Sequence, residues 1–85
     1  MNLQQIFGKI IKKLRLERNL SQESLAFDAD IDRTYISNIE KGERNISIEV
    51  AYKLANALQI SFSELIKEIE NHGEYDKLHQ KKIRS

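Results

Sequence analysis

Four times along this chain an aliphatic residue stands directly before a serine or an aspartate: Leu20-Ser21, Ile31-Asp32, Ile46-Ser47 and Ile60-Ser61. An oxygen-bearing side chain at such a place accepts hydrogen bonds from the free N–H groups of a helix's first turn. The apolar residue before it packs on the fourth helical residue. Leu25, Ile36 and Leu65 occupy that fourth position after Ser21, Asp32 and Ser61. Ser61-Phe62-Ser63-Glu64 also has the reciprocal carboxylate of a capping box. Four marked helix starts behind one earlier helix nearly fill 85 residues that hold no proline and three glycines. The expected fold class is all-α, with five helices in one domain over residues 1–72. Residues 73–85 form either a short sixth helix, with Tyr75, Leu78 and Ile83 touching the body, or a flexible basic tail.

The earlier helix spans residues 3–18, with Ile6, Ile10 and Leu14 on one stripe and Phe7 and Ile11 beside it. Lys9, Lys12 and Lys13 lie off the stripe, and Asn19 suits a positive-φ terminator. The fourth helix carries Ile48, Val50, Ala51, Leu54, Ala55 and Leu58, and Gly73 is expected to end the fifth. Around Ala29-Asp30 the connection is so short that the second and third helices must meet at a sharp angle. Glycine is the easy residue at such a turn. Asp30 stands in for it, as one of the few types that tolerate left-handed geometry.

The third helix, residues 32–41, has two unlike faces. Ile36 and Ile39 fall on one side, while Arg33, Thr34, Ser37, Asn38 and Lys41 recur on the other at helical steps. Gly42 supplies the stop. A helix this short is marginal alone and must be clamped by its neighbours. Its outer face has the donors and acceptors that read base edges in a major groove. Arg33 suits guanine, Asn38 suits adenine and the Thr34 methyl suits thymine, with Ser37 a further base-reading candidate on the same face. The other reading of that face is an ordinary solvated surface. Tyr35 either donates its hydroxyl to a phosphate or packs against the turn. Lys41, Arg44 and Asn45, just past the helix, suit the DNA backbone, although Asn45 also suits a loop's own backbone groups.

The residues Ser21-Gln22-Glu23-Ser24-Leu25-Ala26, Tyr35 to Gly42, and Leu54-Ala55-Asn56-Ala57-Leu58 with Leu65 resemble the Cro/CI-type helix-turn-helix family of phage repressors, also called the xenobiotic-response-element family. The resemblance covers about residues 6–68 and implies a lambda-repressor-like domain. Asp32 to Ser37, with Arg44-Asn45, is most similar to the small controller proteins of restriction–modification systems, which are one-domain dimeric transcription regulators. Asn19 and Asp30 stand where that family often has glycine, and Ser24 where it often has glutamate. The resemblance implies that Gln22 contacts a DNA phosphate. It also implies that Arg15 bonds Glu40 to set how the recognition helix is presented.

The overall charge of +1 says little about partners, so any basic surface must come from arrangement. Glu49, Glu64, Glu68 and Glu70 gather outside the proposed reading region, leaving one face for double-stranded DNA. Cysteine is absent, which removes disulfides, thiolate metal sites and a thiol nucleophile and fits a cytoplasmic setting. No apolar run suggests a membrane span or a signal peptide. His72 and His79 have no clustered co-ligands, so neither a metal nor a cofactor is expected, and no catalytic constellation points to an enzyme. A short recognition helix reads only a few base pairs, so a homodimer on a palindromic operator is expected. Its seam is expected at Phe62, Leu65, Ile66 and Ile69. Two rival readings are an antitoxin-type module that also binds a protein partner, and a protein-interaction adaptor that binds no DNA.

Overall fold

A computed structural model describes residues 1–79, without the side chain of His79. It contains five helices: α1 (Leu3–Glu17), α2 (Gln22–Ala29), α3 (Arg33–Glu40), α4 (Ile48–Ala57) and α5 (Phe62–Glu70). A 3₁₀ turn follows at Asp76–His79. Each expected cap is in place. Ser21 accepts from the Ser24 N–H at 3.0 Å, Asp32 from Thr34 at 3.0 Å, Ser47 from Val50 at 3.1 Å, and Ser61 from Glu64 at 3.0 Å. The Glu64 carboxylate accepts the Ser61 N–H in return at 2.9 Å, and this bond holds its pKa below the usual carboxylate range. A fifth cap was not foreseen: Asn2 and Gln5 form a capping box at the start of α1.

The helix ends follow one geometry. Asn19, Asp30, Gly42 and Gln59 all have positive φ, between 55° and 75°. After each, the next N–H reaches the carbonyl five residues back: Leu20 to Arg15 at 3.1 Å, Ile31 to Ala26 at 2.9 Å, Glu43 to Asn38 at 3.0 Å, and Ile60 to Ala55 at 3.0 Å. This is the Schellman closure, which satisfies carbonyls that would otherwise end the helix unpaired. Three of the four connections are therefore one three-residue device: a left-handed residue, an aliphatic residue packed on the core, and a cap. The connection from α3 to α4 is longer and carries Lys41, Arg44 and Asn45 outside the core.

The core joins Ile6 and Ile11 of α1, Leu25 of α2, Ile36 and Ile39 of α3, Leu54 of α4, Leu58 just beyond it, and Leu65 of α5, all essentially inaccessible. Each such side chain stabilises the fold by roughly 1.5–3 kcal/mol relative to exposure. In this arrangement α3 lies against α1 and α2, whereas α5 lies against α1 and α4. The acidic residues of α5 are thus kept on elements that do not carry the reading face.

Two expectations are corrected here. Gly73 does not end α5: the helix stops at Glu70 and closes at Asn71, and Gly73 has no positive φ. Leu65 and Ile69 belong to the monomer's own core and are unavailable to a seam, because α5 turns that edge of its apolar stripe inward. Phe62 is half-buried and Ile66 exposed, so only the other edge remains outside. Beyond α5, Tyr75 and Leu78 pack against the core next to the 3₁₀ turn, as the sixth-helix alternative expects, while Ile83 lies outside the described residues.

Candidate nucleic-acid interface

The orientation of α3 decides what its polar residues can do. Ile36 and Ile39 are 0% and 1% exposed, so the face they define is sunk into the core. Arg33 and Thr34 are exposed, and Ser37 and Asn38 are half-buried. Among the described residues, none of these four side chains, nor that of Lys41, has a hydrogen-bond or ionic partner in the chain. A row of donors and acceptors is therefore held on a rigid helix with its bonding capacity unused.

The clamp that fixes this helix is buried and ionic. Arg15 Nε donates to Glu40 Oε2 at 2.7 Å and Nη2 to Oε1 at 3.0 Å, a two-point fork between side chains only 9% and 4% exposed. Its Nη1 donates to the Leu20 carbonyl at 2.8 Å, which ties in the start of α2. The hydrogen bond to Glu40 raises the Arg15 pKa further above its ordinary value, so the guanidinium stays charged. Gln22 Nε2 also donates to Glu40 Oε1, at 3.0 Å. Gln22 therefore sits at the junction of α2 with the end of the recognition helix.

Gly8 lets α1 come close enough for this. A β-carbon there would lie 2.2 Å from the Ile39 carbonyl oxygen and 3.0 Å from that of Glu40, so only glycine admits the crossing. In the sequence the only mark of Gly8 is that a lone glycine inside an apolar-periodic helix signals that something packs on it. Arg18 carries no such mark. That guanidinium donates to the Leu58 carbonyl at 2.7 Å and the Leu14 carbonyl at 3.0 Å, closing the C-terminal end of α4 with a cation.

The loop after α3 is partly tied down. The Arg44 guanidinium lies over the Tyr35 ring, 4.9 Å from its centre, and Tyr35 is half-buried against the core. Asn45 Oδ1 accepts from Gln4 Nε2, which links the loop to the first turn of α1. Gly42 takes φ 75° against Gln5, where any side chain would collide. Lys9 and Lys12 are exposed, but Lys13 is drawn to α5, bonding Glu68 at 3.1 Å.

A family model described as helix-turn-helix matches residues 11–65, a span that holds α2, α3 and the buried clamp. The chain belongs to the Cro/CI-type helix-turn-helix family. Within that family it is similar to the control protein C.MunI of Mycoplasma sp, at 51% identity over 65 residues, covering 75% of this chain and 88% of that one. It is also similar to the restriction–modification controller protein C.AhdI of Aeromonas hydrophila. That structure is 44% identical, covers 73% of this chain and 94% of its own, and superposes with a TM-score of 0.71. The controller protein C.Esp1396I, solved as a tetramer in complex with its natural 35 base-pair operator, is 41% identical, with 81% and 96% coverage and a TM-score of 0.71. Among the described residues no helix is long and apolar enough to cross a membrane.

Proposed function

We propose that this chain is a sequence-specific, double-stranded DNA-binding transcription regulator of the controller type, acting as a homodimer with α3 in the major groove. The observation that carries the reading is the split of α3. Its isoleucines are sunk, while Arg33, Thr34, Ser37 and Asn38 stand unpartnered above them. Gln22, Tyr35, Lys41, Arg44 and Asn45 flank that row and serve as phosphate contacts. Gln22 acts from the first turn of α2, whose free N–H groups favour an anion. The Arg44–Tyr35 stack supports the reading, because a guanidinium held over a ring keeps its fork of donors oriented for phosphate.

The dimer reading rests on the other side of the molecule. Ile48 and Tyr52 of α4 are 74% and 54% exposed, and Phe62 and Ile66 of α5 continue the same apolar surface. Tyr52 meets Phe62 edge to face at 6.4 Å. Beside them runs an apolar groove of about 530 Å³, lined by Leu3, Phe7, Ile48, Phe62 and Ile66 among others. A second copy related by a twofold axis covers this face and sets two recognition helices about one DNA turn apart.

The test is selection from random duplexes followed by single substitutions. Arg33→Ala is expected to relax choice at one base position and to cost roughly 1–3 kcal/mol. Lys41→Ala is expected to weaken all sequences alike and flatten the salt dependence. Equal, sequence-blind effects from both would remove Arg33 from the reading set.

A further inference from the structure

Glu40 does more than pair with Arg15. Its two carboxylate oxygens receive three N–H donors: Arg15 Nε on Oε2, and Arg15 Nη2 and Gln22 Nε2 together on Oε1. Glu40 is the last residue of α3 and Gln22 the first of α2, so one buried carboxylate joins the end of the recognition helix to the beginning of its neighbour. Gln22 has one further Nε2 proton and its amide oxygen, and no chain partner among the described residues takes either. The half-buried amide oxygen is not sealed in without a partner, so it is open to solvent, and the second Nε2 proton is left uncommitted.

From this the geometry points to Glu40 as a positioning residue: it fixes the Gln22 amide for its phosphate contact, so that the α2 terminus and α3 dock on DNA as one unit. The inference rests on the DNA-binding reading above. A glutamine side chain free in solution must be ordered when it binds, and holding it beforehand removes that cost. Such an arrangement needs an acceptor strong enough to fix the amide, and an ionised carboxylate is stronger than a neutral one. It also needs that carboxylate not to repel the nearby phosphate. Arg15, forked onto the same oxygens, cancels its charge.

The experiment is a double-mutant cycle on a selected duplex, combining Gln22→Ala with Glu40→Gln. It is read as affinity and as sensitivity to single phosphates replaced by neutral methylphosphonates. In the unaltered chain, Gln22→Ala is expected to weaken binding about tenfold and to abolish sensitivity at one phosphate of each half-site. In the Glu40→Gln background only one oxygen serves three donors and Arg15 takes it. There the same change is expected to cost about twofold or less, with sensitivity at that phosphate already lost.

An unchanged tenfold effect in the Glu40→Gln background, with the phosphate still felt, overturns the positioning role while leaving DNA binding intact. Failure of the unaltered chain to bind any duplex in a salt-dependent way overturns the DNA reading itself. The free, unaltered chain offers a second readout should Glu40→Gln not fold. An NMR contact between the Gln22 amide protons and the Glu40 side chain is expected, with one amide proton shifted downfield. Ordinary glutamine shifts without that contact overturn the inference.

Discussion

The two long sides of this small domain are built on opposite terms. On the side of α2 and α3 the polar side chains of Arg33, Thr34, Ser37 and Asn38 have no partners, and charge is inside: Arg15 and Glu40 form a buried pair that half-buried Gln22 joins. On the side of α4 and α5 the interior is apolar, with aromatic Phe7 and Phe62 among the aliphatics, and Ile48, Tyr52 and Ile66 are left uncovered. The contrast suits the proposed role of each side. A face that reads base edges must hold its helix in one orientation to within a fraction of an ångström, and a forked ion pair has direction. A face that meets a second copy needs area excluded from water, which has none.

The largest expected effect breaks the directional side. Glu40→Ala strands the Arg15 charge in the interior, and a loss of about 3–5 kcal/mol is expected by thermal or urea unfolding. If the loss is under 1 kcal/mol, the clamp is not what holds α3. Gly8→Ala attacks the same side by crowding. Alanine returns about 1 kcal/mol of helix propensity, but its methyl meets the Ile39 and Glu40 carbonyls, so a net loss of about 2 kcal/mol is expected, with weaker DNA binding. A stability equal to or above the parent would mean that α1 and α3 can separate at no cost.

On the other side, Ile66→Glu places a charge on the apolar face without touching the monomer core. Sedimentation is expected to show monomers where the parent sediments as a dimer, with helix content retained and with operator binding lost at concentrations where the parent binds. A variant that still sediments as a dimer would move the seam elsewhere. The smallest effect concerns α5's own capping box. The folded-state pKa of Glu64 is depressed, so its contribution is present above the ordinary carboxylate pKa and is lost as pH falls through the folded value. Glu64→Gln is therefore expected to melt slightly below the parent at neutral pH and level with it in strong acid. A gap that persists in acid would mean that the box does not act through its charge.

Much of this architecture was legible in the residues. Ser21, Asp32, Ser47 and Ser61 announced four helix starts, Asn19, Asp30 and Gly42 three ends, and the spacing of Ile36 and Ile39 told which side of α3 turns inward. Apart from the Asn2–Gln5 capping box, which is local, what escaped was set by neighbours rather than by local chemistry. Gln59 has φ 62°, although glutamine has no liking for that region, because the Ile60 N–H is drawn to Ala55 and Ile60 to the core. Leu65 and Ile69 share a stripe with Phe62 and Ile66, and spacing alone does not say where that stripe leaves the core. The link from Gln22 to Glu40 joins residues 18 apart in the chain, and no pattern marks it.

The residues alone specify the helices, four of their five caps and the inward faces of α1 and α3, because those depend on interactions between residues within one turn or two of one another. Only tertiary structure decided how deep each apolar stripe is buried, where a glycine admits a crossing, and which buried carboxylate joins α3 to α2. Those depend on distances between segments that nothing local specifies.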